Sequence, residues 1–186
     1  FIDLDGTKLM AEVIKVTGNQ AFVQVYESTR GLKTGCTAEF QGHMLEVTLG
    51  PGILSSNYDG LQNNLETMDG VFLKRGQYTL PLDLEKEWEF EPTAKIGEMV
   101  SASDWLGEVK EGWLPHKIMV PFTFKGEFKI KEISPAGNYK VSQTIAVLID
   151  QEGTEHNVSM MQKWPVKVAI TEYKDKPRPY RVMETG

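Results

Sequence analysis

The chain has 186 residues, of which 40% are hydrophobic and 25% charged, in the range of a soluble globular protein with one or two domains. Acidic residues outnumber basic ones by 26 to 20, and the formal net charge of −6 argues against a general nucleic-acid-binding protein, which needs a basic face. The longest wholly apolar run, Ile145 to Ile149, is far below the roughly 20 residues that span a bilayer. We therefore expect neither a nucleic-acid partner nor direct insertion into a membrane.

The single cysteine and the first residue bear on the compartment and origin of the chain. Cys36 cannot form an intrachain disulfide, which suits the reducing cytoplasm, and we expect it to be a small buried apolar residue. The chain begins at Phe1 and lacks the charged start, apolar stretch and cleavage site of a signal peptide. We therefore expect a cytoplasmic segment of a longer protein.

Period-two patterning dominates the first 60 residues. Leu9 to Val16 carries apolar residues on both faces, as expected of a strand buried in a barrel or sandwich, and Ala21 to Tyr26 supplies a second β-rich run. The turn at residues 17–19 between them predicts a hairpin. Met44 to Leu49 predicts a further strand, which ends at Gly50-Pro51-Gly52. These elements together predict a small β-barrel.

A short helix is predicted after the barrel. Leu61, Leu65 and Met68 recur at the spacing of one apolar helix face, and Gly70 provides a stop after about two turns. Beyond it the β pattern resumes, with predicted strands at Val71–Leu73, Trp88–Phe90, Met99–Ala102, Ile118–Val120, Gly126–Ile133, Lys140–Leu148 and Glu155–Met161.

The most regular alternation in the sequence surrounds Trp88 and Phe90. Four acids occupy the opposite face, at Glu85, Glu87, Glu89 and Glu91. Several carboxylates on one face can bind a cation, but acids that alternate with aromatic residues are far more typical of the solvated face of a strand. We interpret the row as a solvated face.

The last stretch, Tyr173 to Arg181, has the sequence YKDKPRPYR and a different character. Its two prolines favour extended backbone, and the segment is polar and basic, as in a linker that leads to another domain. The alternative is that its cations form a binding patch, although an acid and two prolines interrupt them. We interpret the segment as a linker.

No group of residues in this sequence has the spacing of a catalytic, metal-binding or phosphate-binding motif. His43, His116 and His156 lie far apart without metal-ligand spacing, and we interpret them as surface or half-buried structural residues. No serine lies in a G-x-S-x-G elbow. No phosphate-binding loop is present, because G-x-x-x-x-G-K-[ST] does not occur and Ser55 takes the place of the third glycine of G-x-G-x-x-G; Pro51 also removes an amide from the Leu49-to-Ile53 glycine cluster. We therefore predict no catalytic, cofactor-binding or metal-binding residue.

The run LGPGILSSNYDGLQNNL, Leu49 to Leu65, resembles the signature that closes the N-terminal barrel in the catalytic A subunit of V-type and A-type rotary ATPases. Further blocks that are similar to this family in order and spacing are AEVIKV (Ala11–Val16), VQVYESTRGLKTG (Val23–Gly35), VFLKRG (Val71–Gly76), WEFEP (Trp88–Pro92), HKIMVP (His116–Pro121), SPAGNY (Ser134–Tyr139) and MMQKWPVK (Met160–Lys167). The resemblance covers nearly the whole chain.

The resemblance implies a mainly β fold in three parts. Residues 1–67 would form the N-terminal barrel without its first strand, and residues 68–168 a β-rich, barrel-sandwich-like insertion with few short helices. Residues 169–186 would be a linker toward a nucleotide-binding domain. F-type catalytic subunits and the regulatory B subunit share the barrel but lack this insertion.

The resemblance also implies a role in an ATP-driven ion translocase of the rotary ATPase and ATP synthase class. The barrel would join alternating A and B subunits into a ring, and the insertion would contact the peripheral stalk, in the water-exposed head of a membrane-attached complex. No residue here matches the family's phosphate lysine, metal-ligand hydroxyl, general-base glutamate or arginine finger. ATP and Mg²⁺ would bind in the absent nucleotide-binding domain, and this chain alone would be inactive.

Two tryptophans in the loop-like run DWLGEVKEGWLP are candidate interface residues. Trp105 and Trp113 fit this role because tryptophan is enriched among interface anchors. The alternative is that both cover the small core of the insertion.

Two other function classes make different predictions. A free-standing β-rich binding module predicts a reading frame that ends at Gly186. A third reading, an autonomous nucleotide binder, predicts that the isolated chain binds ATP with Mg²⁺.

Overall fold

Strands dominate the computed structural model, which describes residues 1–173 except 69, 71 and 73. The strands of this part are β1 (Ile2–Leu4), β2 (Thr7–Leu9), β3 (Ala11–Thr17), β4 (Gln20–Val25), β5 (Glu46–Leu49), β6 (Glu87–Pro92), β7 (Met99–Val100), β8 (Trp105–Glu111), β9 (Leu114–Met119), β10 (Phe128–Ile133), β11 (Gly137–Lys140), β12 (Thr144–Ile149), β13 (Glu155–Ser159) and β14 (Gln162–Pro165). Short 3-10 helices span Ile53–Ser55 and Leu65–Thr67. The predicted mainly β fold with few short helices is confirmed.

The first four strands form two antiparallel hairpins, β1 with β2 and β3 with β4. Gly18 in the β3–β4 turn has a φ of 58°, a left-handed conformation that favours glycine, and the predicted hairpin is confirmed. The expected burial of both faces of β3 is wrong, because Val13, Ile14 and Val16 are exposed. Within the described residues, these hairpins form an open arrangement and not a closed barrel, since closure requires two neighbours for every strand.

Two four-stranded antiparallel sheets form the region from β6 to β13. One sheet has the order β13-β12-β10-β7 and the other the order β11-β6-β8-β9. Their inward side chains share one apolar core, which contains Leu82, Trp88, Phe90, Val100, Leu106, Val109, Ile118, Val120, Phe128, Ile130, Val141, Ile145, Ala146, Leu148, Val158 and Met160. Burial of each large aliphatic or aromatic side chain stabilises the fold by about 2 kcal/mol. This is the sandwich-like architecture that the sequence predicts.

Strand β6 shows how the alternating pattern produces one buried face. Trp88 and Phe90 are buried in the core, while Glu87, Glu89 and Glu91 are exposed. The interpretation of the glutamate row as a solvated face is therefore confirmed. Glu85, just before the strand, forms an ion pair with Lys140 at the end of β11.

Strand β14 returns to the N-terminal part of the chain and pairs with β5, from Gln162 opposite Leu49 to Pro165 opposite Glu46. This pairing links the predicted barrel segment to the end of the predicted insertion.

The boundaries at residues 68 and 168 stay a prediction. The predicted linker, residues 169–186, lies largely outside the described residues, and the predicted strand Val71–Leu73 falls on residues 71 and 73, which are also outside them.

The predicted helix from Leu61 to Met68 is wrong, because only Leu65–Thr67 forms a helical turn and it is of the 3-10 type. Tyr58 and Asn64 pair across a β-bridge, and the side chain of Asn64 accepts a hydrogen bond from the Glu66 amide. Side chains that bond locally to the backbone compete with helix formation, which explains the difference. In the described part of the chain no helix is long and apolar enough to cross a membrane.

Candidate interaction surface

The run that the sequence predicts to be loop-like is a β-hairpin, with β8 and β9 paired from Trp105 opposite Met119 to Glu111 opposite Leu114. The inward positions of β8 include Gly107, Val109 and Glu111. Only one of these three is an apolar side chain, so the period-two signal is hidden in the sequence. The turn uses Gly112, whose φ of 60° lies in the left-handed region.

The two candidate tryptophans lie at opposite ends of this hairpin. Trp113 follows Gly112 in the turn and is 90% exposed, so it does not cover the core. Trp105 opens β8 and is 41% exposed, with the Lys117 Nζ 5.0 Å from its ring centroid. Six strand steps separate Trp105 from the end of β8, about 20 Å of extended chain, so the fold does not join the two rings into one patch.

The turn end of the hairpin is fixed to the residues that follow β5 by a buried carboxylate, that of Glu111. The side chain of Glu111 is 3% exposed. Its Oε1 accepts hydrogen bonds from the Gly52 amide at 2.8 Å and the Leu54 amide at 3.1 Å, and its Oε2 lies 2.7 Å from His116 Nδ1. Sequence reasoning missed Glu111, and its only signal is an acid at an inward position of an alternating run.

The segment Asn57 to Leu65 folds into a loop held by its own polar side chains. Asn63 is buried, and its Oδ1 accepts a hydrogen bond from the Thr79 amide at 2.9 Å. The Tyr58 hydroxyl donates to the Pro81 carbonyl oxygen at 2.6 Å. These bonds join the loop to Thr79 and Pro81, which precede β6. This part of the run from Leu49 to Leu65 therefore has a structural role.

Asp59 organises this loop through three hydrogen bonds, from the Leu61 amide, the Asn63 amide and the Asn63 Nδ2. Partial burial acts to raise the pKa of Asp59, but the hydrogen bonds from Asn63 and Leu61 outweigh it and hold the pKa below the ordinary 3.8. A carboxyl with a lowered folded-state pKa contributes stability above its unfolded-state pKa, and loses it as the pH falls through the folded-state value.

The variant Asp59→Asn is therefore expected to lower the free energy of unfolding by about 1 to 2 kcal/mol near neutral pH. The difference from the unmodified chain should shrink below about pH 4, where the aspartate becomes protonated. Urea unfolding of both chains near neutral pH and again below about pH 4 measures this difference in stability. Asp5→Asn, at an exposed turn residue, is the matched control and should change little. A difference that grows on acidification would contradict the assignment.

Tyr78 and Glu12 connect the N-terminal hairpins to distant parts of the chain, and Tyr26 bonds to Glu12 across the β3–β4 hairpin. Burial and then a hydrogen bond to Glu27 raise the pKa of Tyr78 to about 12, and the Tyr78 hydroxyl also accepts from the Met10 amide at 2.7 Å. A hydrogen bond to Glu12 raises the pKa of Tyr26 to about 12. Glu12 in turn accepts from Lys167 Nζ at 2.7 Å, which connects β3 to the residues after β14.

The structure places each histidine beside an acid. His43 is exposed and its Nδ1 lies 3.7 Å from Glu46, while His116 and His156 are half-buried beside Glu111 and Asp150. This agrees with their interpretation as surface or half-buried residues. Among the described residues, no group of three or more histidine, cysteine, aspartate or glutamate side chains is arranged to hold a metal ion. Cys36 is half-buried and not fully buried as expected.

Two family models match the chain. A model described as the ATP synthase alpha/beta family, beta-barrel domain, matches residues 2–42, and a model described as the ATPsynthase alpha/beta subunit barrel-sandwich domain matches residues 79–167. The second match covers the two sheets and their shared core. The chain belongs to the ATP synthase alpha/beta family.

Within this family the chain is similar to V-type ATP synthase alpha chains. That of Borrelia turicatae is 47% identical and that of Borrelia garinii subsp. bavariensis 45% identical, each over 100% of this chain and 33% of the relative. That of Protochlamydia amoebophila is 43% identical over 100% of this chain and 32% of the relative. The chain thus spans about one third of the length of these relatives, and the resemblance found in the sequence is confirmed.

Proposed function

We propose that this chain is part of the alpha subunit of a rotary V-type ATPase, which couples ATP hydrolysis or synthesis to proton or sodium transport across a membrane. The observation that carries the proposal is identity of 43% to 47% to V-type alpha chains along the whole chain. Nucleotide and Mg²⁺ chemistry is assigned to a domain outside these residues, because the sequence contains no phosphate-binding loop. The segment itself is inactive and serves assembly in the cytoplasmic head of the complex.

The N-terminal hairpins are assigned to the ring of alternating alpha and B subunits. The β3–β4 hairpin supports this role, because Ile14, Val16 and Phe22 are more than half exposed. Several large apolar side chains exposed on one small hairpin are typical of a protein interface. Pairing of β14 with β5 connects this region to the insertion through backbone hydrogen bonds.

The insertion is assigned to the contact with the peripheral stalk. Its support is Trp113, a large aromatic side chain at the exposed tip of a hairpin, where Glu111 holds the same turn end through the Gly52 amide. An aromatic anchor on a rigid element loses little conformational entropy on binding. Trp105, at the other end of the hairpin, is a second candidate contact with a smaller exposed area.

The variant Trp113→Ala in the assembled enzyme is expected to weaken association with the enzyme's own peripheral-stalk subunits by about tenfold or more, as for an interface anchor. Its effect on the free energy of unfolding should be within about 0.5 kcal/mol, because the side chain is exposed. Binding titration with purified stalk subunits and urea unfolding measure the two effects.

Ile96→Ala is the matched control, because Ile96 is another exposed apolar residue of the insertion. It should leave both quantities unchanged. Unchanged stalk affinity in Trp113→Ala, with the ring of alpha and B subunits intact, would remove Trp113 from the interface. Failure of the chain's full-length parent to assemble with B subunits would overturn the proposed function as a whole.

A further inference from the structure

Glu111 is an unusual residue because it places a carboxylate within a mainly apolar region. Burial of a charged group costs several kcal/mol unless hydrogen bonds replace its hydration. Here three donors or potential donors surround the two oxygens: the Gly52 amide, the Leu54 amide and the His116 ring. Such a group specifies one arrangement, because every alternative leaves the carboxylate without these partners.

The turn that supplies the two amides is shaped for an anion. Ile53 donates its amide to the Gly50 carbonyl oxygen, and Gly52 has φ 103° and ψ −13°, the third-position geometry of a type II turn with Pro51 before it. The amides of Gly52 and Leu54 then converge on one oxygen atom. Backbone N–H groups of one turn that are directed at one point form an anion-binding concavity, here from alternate residues because the Ile53 amide is bonded to Gly50.

The chain fills this concavity with its own side chain. The sequence shows that Pro51 removes one amide from the glycine cluster, which makes the run a poor phosphate loop. The structure adds that the Gly52 and Leu54 amides are occupied by a carboxylate 59 and 57 residues further along the chain, respectively. The geometry of the turn is thereby explained without any external ligand.

We propose that Glu111 is a positioning residue that locks the turn end of the β8–β9 hairpin onto the Gly50–Leu54 turn. The lock makes the hairpin tip and the N-terminal segment move as one body. Since Glu111 lies two residues before Trp113, a force on the exposed tryptophan reaches the lock through a single turn. That a stalk contact exerts such a force on Trp113 rests on the proposed function, whereas the lock itself does not.

Amide hydrogen exchange in the full chain tests the lock. In Glu111→Ala, the exchange rates of the Gly52 and Leu54 amides are expected to rise by about tenfold or more relative to that of Ile130, a backbone-bonded residue of β10. Sodium acetate, compared with sodium chloride at equal ionic strength, should restore part of the protection by supplying the missing carboxylate. A role in packing alone predicts no difference between the two salts.

Two further variants keep the test decisive. Glu111→Gln retains an acceptor oxygen without charge and should give intermediate exchange, and it replaces Glu111→Ala if that variant does not fold. Glu89→Gln removes one charge from an exposed position of the same sheet and should change nothing. Unchanged relative exchange in folded Glu111 variants, or acetate that acts no better than chloride, overturns the lock. Neither result depends on a stalk or ring partner, so the proposed function is tested separately.

Discussion

Replacement of Phe90 by alanine is expected to lower the free energy of unfolding by about 3 to 5 kcal/mol. Phe90 is fully buried at the centre of the shared core, and its ring meets that of Tyr139 edge to face at 6.2 Å between centroids. Alanine removes these contacts and leaves a cavity, because the strands on both sides are fixed by their hydrogen-bond ladders. The loss is a large part of the about 5 to 15 kcal/mol that stabilises a typical domain.

Urea unfolding followed by tryptophan fluorescence measures this effect, since Trp88 lies two residues away in the same core. Phe40→Ala is the matched control, because Phe40 is exposed and outside that core. The control should stay within about 0.5 kcal/mol of the unmodified chain. A Phe90→Ala variant as stable as the Phe40→Ala variant would show that the two sheets do not share a packed core.

The fold was most predictable where one face of a strand is apolar and the other charged. Strand β6 satisfies this condition, because Trp88 and Phe90 alternate with glutamates. Strand β8 does not, because the structure fills two of its inward positions with Gly107 and Glu111. A glycine and a carboxylate carry no hydrophobic signal, although the first makes room for a ring and the second binds two amides.

The helix prediction failed for a related reason. Leu61, Leu65 and Met68 have helical spacing, but spacing reports only where apolar residues fall. The backbone conformation of this segment is set by Asp59 and Asn63, whose side chains bind amides of the same loop and of Thr79. A partner 16 residues away in sequence cannot be found from local periodicity.

The candidate site was predictable in part. Residue type singled out Trp105 and Trp113 together as interface candidates, and the structure shows that Trp113 is the more exposed of the two. The sequence could not separate Trp113 from Trp105, because the difference depends on where the turn falls. Glu111 required the structure, since its amide partners lie almost 60 residues earlier in the chain.

Replacement of Gly107 by alanine is the second large effect, expected to cost about 3 kcal/mol or more. A Cβ at this position would overlap the Phe90 ring and lie 2.5 Å from the Glu91 carbonyl oxygen. The ring is enclosed by the core, and the carbonyl belongs to the paired strand β6, so neither can move freely. Gly60→Ala is the control, because a Cβ there meets nothing within 4 Å, and urea unfolding should show little change.

The double variant Phe90→Ala/Gly107→Ala separates the two obstacles. Removal of the ring relieves its overlap with the new methyl group, so the combined loss of stability should be smaller than the sum of the single losses by about 1 kcal/mol or more. Full compensation is not expected, because the Glu91 carbonyl oxygen remains in place. Strictly additive losses in this cycle would mean that Gly107 is required by the backbone of β6 alone and not by the Phe90 ring.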